Sequence, residues 1–237
     1  CALRGRPVYS AKHVIESLSG RVQVQRLSEN TFGSLMPNSI YGYAKQHCDF
    51  LLALLAAALL LPIMALVAIA IRLETKGPAI FSQERMGYRG RPFTLYKFRT
   101  MRIAPSSGRA SREDEITQPN DARITPLGSI LRRMRVDELP QLFNILKGEM
   151  SWIGPRPEAM QLSLWYETLM PFYRYRHIVR PGLTGWAQVS QGHVSNPEEV
   201  NAKLQYDFFY VKHFSLWLDM LVVLRTIRVV VTGNGAK

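Results

Sequence analysis

The chain has 237 residues, enough for one packed core and little more than one domain. Apolar residues supply 47% and charged residues 20%, which excludes a wholly disordered chain; Cys1 and Cys48, without a CxxC pair, exclude a disulfide framework and a cysteine-built metal site. Thirty Lys and Arg against 18 Asp and Glu leave a net charge of +12, so the expected partner is anionic: nucleic acid, anionic lipid or a phosphorylated small molecule.

Residues 1–49 read as a preamble too short to fold alone, with VYSAK and RVQVQRL as strand-like pieces and SENTFGSLMPNS as a turn-rich loop. Residues 50–71, FLLALLAAALLLPIMALVAIAI, hold no charged or hydrogen-bonding side chain. As a helix this run is about 33 Å long, against roughly 30 Å of bilayer hydrocarbon. Its position and length exclude a secretory signal peptide. Leu and Ala favour helix over buried strand. Pro62 near the middle removes one helix hydrogen bond and crowds the preceding turn. Two topologies fit: a kinked span, or a helix–break–helix that enters one leaflet and leaves on the same side. Arg72, Lys76, Arg85, Arg89 and Arg91 follow the run, whereas only Lys45 stands in 30–49. A span would therefore leave the C-terminal part in the cytoplasm. The first 49 residues are themselves net basic, so charge does not decide between the two.

Beyond the run, PAIFSQERMG and RPFTLYKFRTM alternate apolar and polar residues around GYRGRP, the pattern of a hairpin. Residues 104–120 are a polar, solvated loop. PLGSILRRMR predicts a helix starting near Thr125, and DELPQLFNILKGEM a second, with Asp137 in the N-cap position and an end near Gly148. SWIGPRPE reads as a rigid loop, 158–177 as helix, RPGLTGWAQ as another loop, and 197–213 as a helix opened by Asn196-Pro197-Glu198-Glu199. Residues 214–231 are apolar but hold Asp219, Arg225 and Arg228, which suits a helix at an interface or packed on protein better than one in lipid.

The candidate chemistry is concentrated in few residues. At a helix start, Asp137 and Glu138 both reach the space beyond the N-terminus, which favours a phosphate or a carboxylate held ionised as a nucleophile or Mg2+ ligand. Taken alone, the plainer reading is that Asp137 caps the helix and Glu138 suits its dipole. Arg156, between two prolines, presents its guanidinium with little entropy loss, suited to bidentate phosphate contact; a surface turn is the plainer reading. Arg132, Arg133 and Arg135 form either a solvated basic face or a diphosphate neutraliser. Lys97 and Arg99 share one face of a predicted strand, for phosphate or for solubility. His177 and His193 have no partner at metal-ligand spacing and read as structural. P-loop, GxGxxG, GxSxG and HExxH motifs are absent from the sequence.

Four strings carry a resemblance: KFRTM (97–101), DARITPLGSILRRMRVDELPQLFNILKGEMSWIGPRPE (121–158), RHIVRPGLTGWAQVSQG (176–192) and YDFFYVKHFSLWLDMLVVLRT (206–226). Their order and content resemble the bacterial sugar transferase family, the monotopic phosphoglycosyl transferases. The resemblance implies transfer of sugar-1-phosphate from a UDP-sugar to polyprenol phosphate, giving polyprenyl-diphosphate-sugar and UMP. It implies a covalent phosphosugar intermediate on Asp137, with Glu138 as its partner and Mg2+ as cofactor held by both. Arg156, Arg132 and Lys97 become substrate or phosphate contacts, with Arg99 added to them by the strand face it shares with Lys97, and Pro62 becomes the break of a re-entrant membrane helix, which selects the one-leaflet topology. Arg135 stands where the resemblance leads us to expect a small or neutral residue.

The expected fold is then α+β, mainly helical, with a re-entrant helix–break–helix at 50–71, a small β-hairpin and interfacial amphipathic helices. Residues 1–40 would be a linker, as in the long exopolysaccharide-type members, and 41–237 the catalytic domain, on the cytoplasmic face of the bacterial inner membrane. Expected partners are the UDP-sugar, polyprenol phosphate and membrane lipid, with room for a homodimer and downstream glycosyltransferases; nucleic acid is not expected. A silent membrane scaffold for glycan assembly is the competing class.

Overall fold

A computed structural model describes residues 11–22, 37–102, 121–191 and 197–232. Most of RVQVQRL, the 104–120 loop and His193 lie outside them. The fold is mostly helical with two small sheets. The start of the described chain is helical where a strand was expected: α1 spans Ala11–Ser19 and takes up the end of VYSAK. Gly20, at φ +64°, turns the chain so that its carbonyl accepts from Trp186 Nε1 at 2.8 Å. Lys212 donates to the buried Glu16, and Val22 enters the core.

Helix α2, Ser39–Glu74, absorbs the apolar run and the ten or so residues before it. Asn38 Oδ1 caps it by accepting from Tyr41 N at 3.2 Å. The break expected at Pro62 is not formed; the helix continues through it. A proline there forfeits one amide bond, and packing on both sides offsets the loss. Ala53 lies among Phe93, Leu95, Leu142, Ile145 and Met150; Met64 and Ile71 lie among Ala79, Phe98 and Leu131. The buried positions Lys45, Asp49, Ala53, Met64 and Ile71 form one stripe along the whole helix, while Leu51, Leu55, Leu59, Leu66 and Leu73 are exposed opposite. This is the one helix among the described residues long and apolar enough to cross a membrane.

Strands β1 (Ile80–Met86) and β2 (Pro92–Phe98) form the expected antiparallel hairpin, with Ile80 opposite Phe98 and Met86 opposite Pro92. Helix α3 (Pro126–Arg133) begins as expected, with Thr125 Oγ1 accepting from Gly128 N at 2.9 Å. The next segment differs from expectation. Arg135 adopts φ +58°, and Val136–Gln141 form a tight 3-10 helix before the short α4, Leu142–Leu146. Asp137 therefore sits inside the first turn and does not cap it. The left-handed residue reverses the chain, and Pro140 denies this segment a regular α-helical ladder.

Two expected loops contain strands. β3 (Ser151–Ile153) pairs in parallel with β4 (Gly182–Thr184). Their close approach requires glycine: a methyl group on Gly182 would lie 2.1 Å from Gly154 N, and one on Gly185 2.2 Å from Gly154 O. The helical stretch predicted over 158–177 divides into α5 (Met160–Leu169) and a 3-10 helix, Tyr173–Ile178. Helix α6 (Trp186–Gln191) starts within the second expected loop.

Helices α7 (Pro197–Lys212) and α8 (Leu216–Thr232) are the last of the described elements. Leu204 and Phe208 of α7 pack on Leu162, Tyr166 and Tyr173. Helix α8 buries Leu218 and Val222 but exposes Leu216, Trp217, Leu224 and Ile227, an apolar outer face. Its Asp219 is buried and accepts from Lys45 Nζ at 2.6 Å, Tyr41 OH at 2.5 Å and Tyr210 OH at 2.7 Å.

Candidate active site

Three segments converge: strand β2, the 3-10 turn after Arg135, and the loop between β3 and α5. They bring Lys97, the Asp137–Glu138 pair and Arg156 together. Glu138 Oε1 lies 2.8 Å from Arg156 Nη2, 3.4 Å from Arg135 Nη1 and 3.6 Å from Lys97 Nζ. Burial alone would raise the Glu138 carboxyl, but Arg156 and Lys97 hold it well below the usual carboxylate range. The same carboxylate raises Arg156 and keeps its guanidinium charged. Burial, with Arg156 alongside, pushes the Lys97 ammonium down to about 8.

Asp137 is the opposite case. It is only 8% exposed, and its Oδ1 is buried without a hydrogen-bond partner. Burial and the neighbouring Glu138 raise its carboxyl, against the pull of Lys97, Arg132 and Arg135. Its next neighbour in sequence thus has three cationic partners within 4 Å, while Asp137 Oδ1 has only their field. An unsatisfied buried oxygen is costly unless something occupies it. Asp137 and Glu138 offer hard oxygen donors, and the orphaned Oδ1 fits a small divalent cation such as Mg2+, which takes one or two carboxylates and completes its shell with phosphate and water. Among the described residues no group of three or more His, Cys, Asp or Glu is placed to hold a metal ion.

Arg132 borders the site. Its Nε donates to Thr100 Oγ1 at 2.8 Å, burial pushes its guanidinium down, and Asp137 counters this. Arg133 is exposed. Arg99 is not brought in with Lys97. It donates to Thr75 O at 2.8 Å, Thr75 Oγ1 at 2.7 Å and Lys76 O at 3.0 Å, where it closes the C-terminus of α2. Strand β2 ends at Phe98, so the alternation that paired the two residues stops before Arg99. Pro62 takes no part in this cluster.

The loop carrying Arg156 is fixed at every residue. Gly154 N donates to Thr184 O (2.9 Å), and Pro155 O accepts from Gly182 N (3.0 Å). Arg156 O accepts from Arg176 Nη2 (2.9 Å), and Pro157 O from Arg85 Nη1 (3.0 Å). Glu158 O accepts from Met86 N (3.1 Å), and its carboxylate pairs with Lys203. The prolines have no N–H to donate, so the surrounding elements supply the donors. Sequence reasoning did not assign Arg85, Arg176, Lys203 or Asp207. One signal was present: Asp207 falls in the apolar stripe Val200, Leu204, Phe208, Val211, where a charge must be paired.

A buried bare carboxylate beside clustered cations is suited to attack on a phosphoryl group, whose negative charge the cations offset. A family profile described as bacterial sugar transferase matches residues 40–233. The chain is 46% identical over its whole length to a UDP-N-acetylgalactosamine-undecaprenyl-phosphate N-acetylgalactosaminephosphotransferase of Aeromonas hydrophila, covering 55% of that protein. Over 83% of the chain it is 42% identical to a UDP-glucose:undecaprenyl-phosphate glucose-1-phosphate transferase of Xanthomonas campestris pv. campestris, covering 41% of it. Over 77% it is 40% identical to the exopolysaccharide production protein PSS of Rhizobium leguminosarum bv. phaseoli, covering 92% of it. The chain thus spans about half the length of the first two relatives and nearly all of the third.

Proposed function

The chain belongs to the bacterial sugar transferase family, and from that premise we propose that it is an enzyme transferring sugar-1-phosphate from a UDP-sugar to polyprenol phosphate. The observation that carries this reading is the unpartnered, buried Oδ1 of Asp137 next to Glu138, whose charge is met by Arg156, Arg135 and Lys97.

In the proposed first step, an Asp137 carboxylate oxygen attacks the phosphorus that bears the sugar. A P–O bond forms to Asp137, the P–O bond to the bridging oxygen breaks, and UMP leaves with that oxygen. In the second step a phosphate oxygen of the polyprenol attacks the same phosphorus. The bond to Asp137 breaks, its carboxylate is restored, and polyprenyl-diphosphate-sugar is released. Arg156, Lys97 and Arg132 offset the phosphate charge that would otherwise repel the carboxylate. Glu138 keeps Arg156 and Lys97 turned toward the reacting group. Mg2+ held by Asp137 and Glu138 would supply further charge neutralisation at the diphosphate.

We also propose that the chain inserts into one leaflet from the cytoplasmic face of the bacterial inner membrane. Support comes from α2, whose stripe from Lys45 to Ile71 packs on the same protein body throughout, which a helix projecting across the bilayer would not do. That placement sets the site at headgroup level, beside the lipid acceptor. Residues 41–237 would be the catalytic part and 1–40 a linker of which α1 is seated on α7.

The test is UMP release in detergent with polyprenol phosphate and a panel of UDP-sugars, led by UDP-N-acetylgalactosamine and UDP-glucose, with and without Mg2+. Release from at least one donor is expected. Absence of release from all of them overturns the reading and favours a scaffold.

A further inference from the structure

Arg156 reaches Glu138 from a loop with no regular structure, so its aim depends on what holds the backbone beneath it. One of those holds is itself a buried charged assembly. The Arg176 guanidinium is 2% exposed. Its Nε donates to Asp207 Oδ2 at 2.9 Å, and its Nη1 to Tyr173 OH at 2.9 Å. Its Nη2 lies 2.7 Å from Asp207 Oδ2 and donates to Arg156 O at 2.9 Å. Asp207, on α7, is 1% exposed. Every nitrogen of this guanidinium is engaged, and the fork of fixed N–H groups leaves it one orientation.

A buried ion pair is a poor device for stability, because desolvation consumes most of its attraction. It is a good device for fixing a direction. Asp207 and Tyr173 lock Arg176, and Arg176 in turn locks the carbonyl of Arg156, whose side chain makes the shortest charge contact to Glu138. A side chain borne on a fixed carbonyl swings through a smaller arc than one on a free loop.

We propose that Arg176, locked by Asp207 and Tyr173, is a positioning residue that aims Arg156 at the phosphate of the substrate. The inference rests on the phosphate-binding role given to Arg156 in the proposed reaction. It makes α7, none of whose described side chains touches Glu138 or Asp137, a determinant of anion affinity there. Lysine at position 176 offers one nitrogen where Arg176 engages three, so it loses the Tyr173 contact and the second bond to Asp207 that together fix the direction of the donor to the Arg156 carbonyl.

The test is a cycle of four full-length proteins in detergent: the unaltered chain, Arg176→Lys, Arg156→Ala and the double variant. Affinity for inorganic diphosphate is measured by calorimetry, and kcat and KM for UMP release in parallel. Arg156→Ala should weaken diphosphate binding. Arg176→Lys should weaken it about tenfold when Arg156 is present, by displacing its guanidinium, and less than about twofold when Arg156 is absent. Restoration of neither affinity nor turnover by lysine is expected, although the fold is kept. An equal loss in both backgrounds makes Arg176 merely structural and overturns the proposal, as does a chain that binds no diphosphate. If Arg176→Lys fails to fold, Tyr173→Phe, which removes only the Nη1 bond, carries the same cycle with a smaller expected loss. Coupling in the diphosphate cycle without UMP release from any donor would defeat the proposed reaction and leave this inference standing.

Discussion

Lys45 on α2 and Asp219 on α8 are 174 positions apart, and their charges meet at 2.6 Å with both side chains less than a tenth exposed. Tyr41 and Tyr210 complete the Asp219 carboxylate from either side. Asp219→Ala strands Lys45 with Asp49 at 3.8 Å as its remaining charge partner. The expected cost is about 3–5 kcal/mol. Lys45→Met leaves Asp219 its two phenol donors and should cost clearly less. Chemical denaturation in detergent gives the order; equal losses would mean that the two phenol donors add nothing to the Asp219 carboxylate beyond the charge pair.

Asp137→Asn should abolish the phosphosugar adduct and lower UMP release by at least about a thousandfold, because an amide oxygen is a far weaker nucleophile than a carboxylate. Asp137→Glu should also fail, since one added methylene displaces the attacking oxygen. Intact-mass analysis after rapid quenching detects the adduct, and turnover by the Asn variant would remove Asp137 from the chemistry.

Arg99→Ala removes the three hydrogen bonds that close the end of α2 on Thr75 and Lys76. A loss of about 2–4 kcal/mol is expected from carbonyls deprived of a charged donor. Hydrogen exchange should quicken first in the last turn of α2, before any change at its start.

His177 is buried, with Nε2 3.4 Å from Ser163 Oγ, and burial together with Arg176 pushes it down to about 3. The unfolded chain titrates near 6.5. Between those values the unfolded state binds the extra proton, so stability is full above about 6.5 and falls as pH drops toward 3. The slope from this group approaches about 1.4 kcal/mol per pH unit. His177→Gln should flatten the fall between pH 6 and 5 by close to one proton, read from denaturation midpoints; parallel slopes would count against a neutral buried imidazole.

Arg135 holds φ +58° at the reversal before Asp137. A side chain in that conformation costs about 1–2 kcal/mol. Arg135→Gly should stabilise the fold by about 0.5–1 kcal/mol, since the half-exposed contact to Glu138 at 3.4 Å offsets little. A lower melting temperature would show that this contact outweighs the backbone strain.

The hairpin and α3 were legible because their signals are local: alternation around Gly87 and Gly90, and a Thr125-Pro126 start. So was α7, opened by Pro197. The pairing of Ser151–Ile153 with Gly182–Thr184 was not, because a three-residue parallel strand has no period of its own and its partner lies some thirty positions on. The Asp137 geometry was misjudged for a related reason: an acidic residue before an apolar run looks like a cap, and only the left-handed Arg135 places it within the turn. Arg99 was drawn into the site by an alternation that the chain abandons one residue earlier. The resemblance brought Lys97, Glu138 and Arg156 together; no local pattern names Arg176, whose role exists only once α7 has folded against the loop.

The crossing of Gly154, Gly182 and Gly185 has a consequence for how the molecule tolerates error. These positions bear no functional group, yet a single added carbon there would lie only 2.1–2.3 Å from a main-chain atom. The β3–β4 seam would have to part, and the arginine-bearing loop is hung from that seam. The most sensitive spots for the proposed chemistry are therefore places occupied by nothing larger than hydrogen.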